Sequence, residues 1–312
     1  MANKFHLTKA DIKKEILKSG RDPLYFINNY VKISHPTKGL IPFTLYPFQE
    51  EVVKDFRDNR YNIILKARQL GISTSIAAYI AWLMLFHRSK NVVVLATKLQ
   101  TAANLVKKVK LAMKSLPEWM TISKIIIDNR NSFKLDNESE VKAISTSGDA
   151  GRSEALSLLV IDEAAIIEGL DDLWAGLLPT LSTGGDCIIA STPKGVGNKF
   201  HQLYSEAEQG LNDFNSFVLP WSVHPERDHE WYTKETRNMS KREIAQELEC
   251  NFNMSGETLL CAEDMELVEK GIEEPIYKTG FDRGLWIWEA YDSSKKYFLS
   301  ADVARGDGQD NS

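Results

Sequence analysis

The chain is poor in cysteine, with three among 312 residues: Cys187, Cys250 and Cys261. The number is odd and no two form a C-x-x-C pair. A disulfide framework does not fit, whereas reduced, buried thiols do. His224 and His229 have no cysteine or third ligand beside them, which discounts zinc. No long apolar run is present either. The most apolar stretch, Ile76 to Phe86, is too short to span a bilayer and reads as a buried helix. An excess of positive charge is also missing. The net charge of −5 excludes a wholly basic nucleic-acid coat and leaves any DNA contact to a local patch. Residues Met1 to His6 carry no signal-peptide pattern. What is there is a 43% hydrophobic composition, enough for a substantial core in one large or two moderate domains.

The organising stretch is Tyr61 to Ser75. Ile63-Ile64-Leu65 reads as a short buried strand, a polar turn follows, and a helical pattern begins at Ser73. Strand, turn and helix N-terminus together make an anion site, because free N–H groups and the positive end of the helix dipole meet there. This is the layout of a P-loop, G-x-x-x-x-G-K-[ST], with departures. Lys66 stands where the first glycine belongs and Ile72 where the lysine belongs, while Gly71 and Ser73 fit. A phosphate turn needs a cation, so Lys66, Arg68 or both must supply it, Arg68 with a bidentate option. Ser73 occupies the Mg²⁺-binding hydroxyl position, with Thr74 as second choice. The turn's other members, Ala67, Gln69 and Leu70, complete the binding stretch.

Upstream, residues 8–30 read as helical with a break at Gly20 and Pro23, and residues 31–48 as loop. Tyr46, Phe48 and Gln49 precede a helical run from Glu50 to Phe56. An aromatic ring there can stack on adenine and an amide can read its edge; the plain alternative is a capping loop with core aromatics. Val92 to Thr97 reads as a second buried strand. The helical stretch 98–115 follows, with Lys107, Lys108, Lys110 and Lys114 on a solvated face. Residues 124–146 alternate as in one or two hairpins. The loop 147–153 holds Arg152. A loop arginine can stabilise transferring phosphate, although on composition alone a salt-bridge arginine is the simpler reading.

Leu156 to Ile161 reads as an apolar strand that ends in Asp162 and Glu163. Carboxylates at a strand's C-terminal end lie where open α/β sheets bind ligands. Asp162 suits a metal and Glu163 a general base, against the plainer role of acids at a helix N-terminus. Asp186 to Thr192 is another buried strand, whose terminal hydroxyls, Thr192 among them, could sense a γ-phosphate. A helix over 198–208, a strand over 215–220, an aromatic loop over 221–233 and a Ser240-capped helix from Lys241 to about Phe252 complete this part. Residues 286–288 and 297–303 read as paired strands. A short strand followed by a polar, acidic tail should not close a domain, so the chain is expected to stop just inside a second one.

In order and spacing, these motifs resemble the large terminase subunits of tailed bacteriophages, the motors that package DNA into proheads. Leu45-Tyr46-Pro47-Phe48-Gln49 looks like the adenine motif, Ala67 to Ser73 like the family's deviant P-loop with an early Lys or Arg, and Leu158 to Ala164 like its Walker B. Ser191-Thr192-Pro193 looks like its coupling motif. Gly151-Arg152-Ser153 falls where the family carries a proposed arginine finger, and Asp302 resembles the first metal ligand of its RNase H-like nuclease. The resemblance implies an ATPase domain over 1–254 with a RecA/ASCE-like, mostly parallel sheet flanked by helices. It further implies a connector over 255–283 and the start of an RNase H-like domain over 284–312. ATP and Mg²⁺ are the implied cofactors, and a second metal, Mg²⁺ or Mn²⁺, belongs to the nuclease of the full-length protein. Implied partners are double-stranded viral DNA, the portal protein of the prohead, the small terminase subunit and further copies in a ring on the portal. The chain alone is expected to be a monomer in the host cytoplasm, away from membranes, that hydrolyses ATP without cutting DNA. The alternatives are a helicase-like DNA remodeller, for which residues 255–312 supply no second RecA-like domain, and a non-enzymatic adaptor in which Ile72 marks decay.

Overall fold

The computed structural model describes residues 8–146, 155–256, 270–279 and 285–298. In chain order the elements are α1 (Lys9–Arg21), α2 (Pro23–Tyr30), β1 (Lys32–His35), β2 (Gly39–Pro42), α3 (Pro47–Asp58), β3 (Tyr61–Lys66), α4 (Ile72–Phe86), β4 (Asn91–Leu95) and α5 (Leu99–Lys114). There follow β5 (Ile125–Asp128), β6 (Ser132–Leu135), β7 (Glu140–Ile144), β8 (Leu158–Asp162), α6 (Leu170–Leu177), β9 (Asp186–Ser191), α7 (Lys199–Glu208), β10 (Asn215–Leu219), α8 (His229–Thr236), α9 (Lys241–Ile244) and α10 (Phe252–Ser255). β11 (Tyr277–Thr279) and β12 (Leu285–Ile287) come last.

Eight strands form one sheet in the order β10-β3-β9-β8-β4-β7-β6-β5. From β10 to β7 every neighbour is parallel; β6 and β5 extend the sheet antiparallel. The apolar runs explain the order. Ile63 to Leu65, Val92 to Leu95, Leu158 to Ile161 and Cys187 to Ala190 are all buried, as strands covered on both faces must be. α4 is apolar nearly all round and buried from Ser75 to Leu85, so it acts as a core helix rather than an amphipathic one. One strand, β9, separates β3 from β8, which is the ASCE arrangement. Because β3, β9 and β8 run parallel, the turn after Lys66 and the acids after Ile161 emerge on the same edge of the sheet. No helix among the described residues is long and apolar enough to cross a membrane.

Several expectations need correction. Residues 31–48 are not all loop: β1 and β2 pair as an antiparallel hairpin, with His35 opposite Gly39. β1 alternates exposed and half-buried residues with Ile33 against the core, but at four residues per strand, with only half-buried positions, the pattern is too short to read in the sequence. The aromatic stretch 221–233 is interrupted by α8, which starts at His229 under the Asp228 cap, where the carboxylate accepts from Trp231 N at 2.8 Å. The helix from Lys241 is broken. After α9 the backbone widens into a π-turn over Ala245–Glu249, stops at left-handed Cys250 (φ +59°) and restarts as α10.

Contacts divide the chain into Met1–Ala262 and Glu263–Ser312. In the second unit β12 pairs antiparallel with β11, which falls inside the anticipated connector. Residues 299–303, Asp302 and Cys261 lie outside the described residues.

The sheet is closely packed where the chain enters β9. A Cβ on Gly185 would lie 2.2 Å from the Leu156 carbonyl oxygen, and the Gly185 carbonyl accepts from Arg60 Nε at 2.9 Å. Gly185→Ala is expected to cost about 2 kcal/mol or more through this backbone collision. Thermal unfolding should show Tm falling by roughly 4–8 °C. Gly210→Ala meets nothing within 4 Å but stands at φ +68°, so it is the comparison for backbone strain without collision and should cost about 1 kcal/mol.

Candidate nucleotide site

The turn between β3 and α4 is restrained from outside along its whole length. Ala67 N donates to Leu219 O at 2.7 Å, extending the β3–β10 pairing by one residue, and Arg68 N donates to Glu247 O at 2.8 Å. The next three carbonyls all accept from side chains. Arg227 Nη1 donates to Arg68 O at 3.2 Å, Arg227 Nη2 to Gln69 O at 3.0 Å, and Gln49 Nε2 to Leu70 O at 2.8 Å. In a trans peptide the N–H points opposite to the C=O. Holding the carbonyls of 68, 69 and 70 outward therefore turns the N–H groups of Gln69, Leu70 and Gly71 to the other side. Gln69 (φ +57°) and Gly71 (φ +75°) adopt the left-handed backbone this curvature needs. A Cβ on Gly71 would also lie 2.6 Å from Gln49 Nε2. The result is a nest of N–H donors leading into the N-terminus of α4.

The acidic strand tip meets this nest. Ser73 Oγ donates to Asp162 Oδ2 at 2.7 Å across 89 residues of chain. Asp162 is 7% exposed, and its Oδ1 accepts from Glu163 N at 3.1 Å. Glu163 stands at φ +59°, a conformation that costs a non-glycine residue about 1–3 kcal/mol. Thr97 Oγ1, just past β4, donates to Glu163 Oε2 at 3.2 Å. Ser191 and Thr192, at the end of β9, are buried beside this tip, and Ser191 Oγ accepts from Ala165 N at 3.0 Å.

Other expected site residues are placed differently. Gln49 is 2% exposed and both ends of its amide are spent on backbone, since Oε1 accepts from Tyr46 N at 3.0 Å. These two bonds tie α3 to the turn. Tyr46 and Phe48 form an aromatic cluster with His224, at ring-centroid distances of 4.6 and 6.2 Å. Burial holds the His224 imidazole below the usual histidine range, assisted by Arg227 and opposed by Glu226. Ala67, Leu70 and Ile72 bury their side chains and offer the site only backbone. Arg68, although 61% exposed, forms an ion pair with Glu247. Burial pushes the Glu247 carboxyl up, and Arg68 and Lys66 oppose the shift. Arg152 lies outside the described residues.

A model of the large terminase subunit, T4likevirus-type, N-terminal, matches residues 63–266. The chain belongs to this terminase family. Solved terminases share its fold. The large terminase ATPase domain of Thermus phage P74-26 is 23% identical, with TM-score 0.53, over 62% of this chain and 89% of that one. The bacteriophage HK97 large terminase is 19% identical, with TM-score 0.56, over 81% and 51% respectively. The large terminase of a thermophilic bacteriophage, solved in complex with ADP, is 12% identical, with TM-score 0.55, over 66% and 53%. The chain therefore spans about half the length of these last two terminases.

The residues that sequence reasoning missed are those that support the terminase turn from a distance. Arg227 and Glu247 carry no local signal, since their partners lie more than 150 residues away. Thr97 was legible as the hydroxyl at the tip of an apolar strand. Lys108 was read as one of four solvated lysines. Its Nζ instead donates to Thr74 Oγ1 at 3.1 Å. Burial pulls its ammonium below the usual lysine range, Asp162 opposes this, and Lys66 adds to it.

If Arg227 fixes the turn, Arg227→Ala should loosen it without unfolding the sheet. Hydrogen exchange should quicken about tenfold at the hydrogen-bonded amides of Ala67 and Arg68, a change of about 1.4 kcal/mol in local opening. Amides of β8 should be unchanged. Equal protection in both proteins would remove Arg227 as the restraint.

Proposed function

We propose that this chain binds ATP in the nest and hydrolyses it, as the ATPase domain of a motor that moves double-stranded viral DNA into a prohead. The observation that supports the reading most directly is the hydrogen bond between Ser73 and Asp162, with Glu163 the next residue. Hydroxyl and carboxylate oxygens are the hard donors that Mg²⁺ takes, so Ser73 and Asp162 would hold it, with Thr74 as second choice. When bound, Mg²⁺ neutralises charge on the phosphate oxygens.

The chain's own residues do the rest. The N–H groups of 69–71 and the α4 N-terminus bind phosphate oxygens. Lys66 is in no ion pair among the described residues, whereas Arg68 must leave Glu247 before it can reach phosphate. Glu163 takes a proton from the attacking water at its carboxylate, which the Thr97 hydroxyl orients. Thr192 senses the γ-phosphate, and Tyr46 and Phe48 border the base. Arg152 would act on the transition state, in cis or from a neighbouring copy in a ring. Portal, small subunit, DNA cleavage through Asp302 with its second metal, and a host-cytoplasmic setting all belong to this proposal for the whole protein. Family membership does not favour the helicase-like alternative. An intact Ser73–Asp162–Glu163–Thr97 chain argues against a decayed adaptor.

Glu163→Gln should bind a fluorescent, non-hydrolysable ATP analogue normally and release phosphate from ATP at least ~100-fold more slowly. A phosphate-release rate close to that of the unaltered protein would remove Glu163 as the base.

A further inference from the structure

We propose that Lys108 is a nucleotide-binding residue, reaching from α5 to the terminal phosphates of the bound nucleoside triphosphate and supplying the ammonium that position 72 lacks. The inference rests on the nucleotide reading above and adds a residue to it.

Three observations carry it. The first is what the turn itself provides. Ile72, at the position where a P-loop carries its lysine, is 1% exposed and packed into the core. The Arg68 guanidinium is engaged by Glu247. The turn thus brings fewer free cations to the α4 N-terminus than its sequence suggests.

The second is where α5 sends its lysines. Lys110 and Lys114 both pair with Asp128 on the β5 side. Lys107 is exposed. Lys108 alone of the four turns toward α4, where its ammonium meets Thr74 Oγ1 at 3.1 Å. Thr74 follows Ser73, whose hydroxyl is on Asp162 at 2.7 Å. Thr74 and Ala78 of α4 and Lys108, Leu111 and Ala112 of α5 line one cleft, which Val31 to Ser34 close on a third side.

The third is electrostatic. An ammonium beside the N-terminus of a helix faces the positive end of its dipole, which is unfavourable. Lys66 lies near enough to add repulsion, and Asp162 near enough to offset it in part, although among the described residues no carboxylate stands in ion-pair contact with Lys108. A protein that gathers two ammonium groups, a helix N-terminus and a row of inward N–H groups in one place is built for a multiply charged anion. A triphosphate satisfies all of these groups together.

Lys108→Ala, Lys108→Arg and Lys107→Ala are the variants to compare, by equilibrium binding of a fluorescent non-hydrolysable ATP analogue and of fluorescent ADP. Lys108→Ala is expected to weaken the triphosphate about tenfold or more and ADP by less than about threefold, as loss of one charge-assisted contact to the terminal phosphates requires. Lys108→Arg should recover most of the affinity, and Lys107→Ala should match the unaltered chain. Triphosphate affinity within about twofold of the unaltered chain for Lys108→Ala would overturn the inference, as would equal losses for ATP analogue and ADP, which would mark a structural role. Failure of the unaltered chain to bind either nucleotide would instead overturn the nucleotide reading, and this inference with it.

Discussion

The site depends on one hydrogen bond, Ser73 Oγ to Asp162 Oδ2. It joins the first turn of a helix to the tip of a strand 89 residues later, and it exists because β3, β9 and β8 run parallel in register. Leu65 lies opposite Ser191, and Asp162 opposite Ala190. A shift of one residue in either pairing would move the tip and reverse which face its side chains occupy. A buried, charge-assisted bond of this kind contributes about 1.5–3 kcal/mol. Its larger importance is geometric, since it sets a hydroxyl, a carboxylate and the base-candidate Glu163 within one edge of the sheet. The neighbouring backbone carries the cost. Glu163 is held left-handed where most residues would relax, and it can be so held because β8 and the buried 3-10 turn over Ala164–Ile166 fix both sides of it.

The phosphate turn is organised by the opposite device, restraint of the groups that face away from the ligand. An N–H nest cannot be assembled by the donors themselves, which repel one another. Here the carbonyls are held instead, by Arg227 and Gln49, and the donors follow from peptide planarity. Arg227 is itself positioned, with its guanidinium 4.5 Å over the Trp231 ring and desolvated there. This explains why a turn without its usual first glycine or its lysine keeps the P-loop shape. Conformational demands that glycine would meet within the loop are met by partners outside it.

The sheet, the buried helix α4 and the two strand tips were legible in the sequence because they are written in apolar runs a few residues long, each ending in polar groups. Ser73, Asp162 and Glu163 follow from that pattern and were found together. The hairpin β1–β2 was not legible, since two four-residue strands with only half-buried positions give too short an alternation to stand out. The break after α9 was not legible either, because a capping box announces where a helix starts and nothing local announces a π-turn. For Gln49 the sequence shows an amide near a P-loop, and not that it bonds the backbone of Tyr46 and Leu70. Arg227 and Glu247 are beyond local reading altogether. Their partners are fixed by β10 lying beside β3, a pairing that no residue of either strand encodes alone.

That pairing also decides how the site communicates. The segment after β10 supplies Arg227, Trp231 and Glu247, and it holds the turn at Ala67, Arg68 and Gln69. An anion that tightens the inward N–H groups acts on the same peptides whose carbonyls this segment holds. Binding on one side and placement of the segment on the other are then two views of one equilibrium, and each must alter the other by the same free energy. The Arg68–Glu247 ion pair adds a competition to this linkage. The guanidinium can face the carboxylate or an incoming phosphate, not both, and moving it leaves a carboxylate that burial already disfavours as an anion, so the exchange costs more here than at an exposed pair and the phosphate contact must offset it. A motor needs an element with two arrangements whose balance its fuel can shift. Among the described residues, the π-turn that presents Glu247, bounded by the left-handed Cys250, is an element in contact with the proposed nucleotide site whose backbone departs from the regular helix.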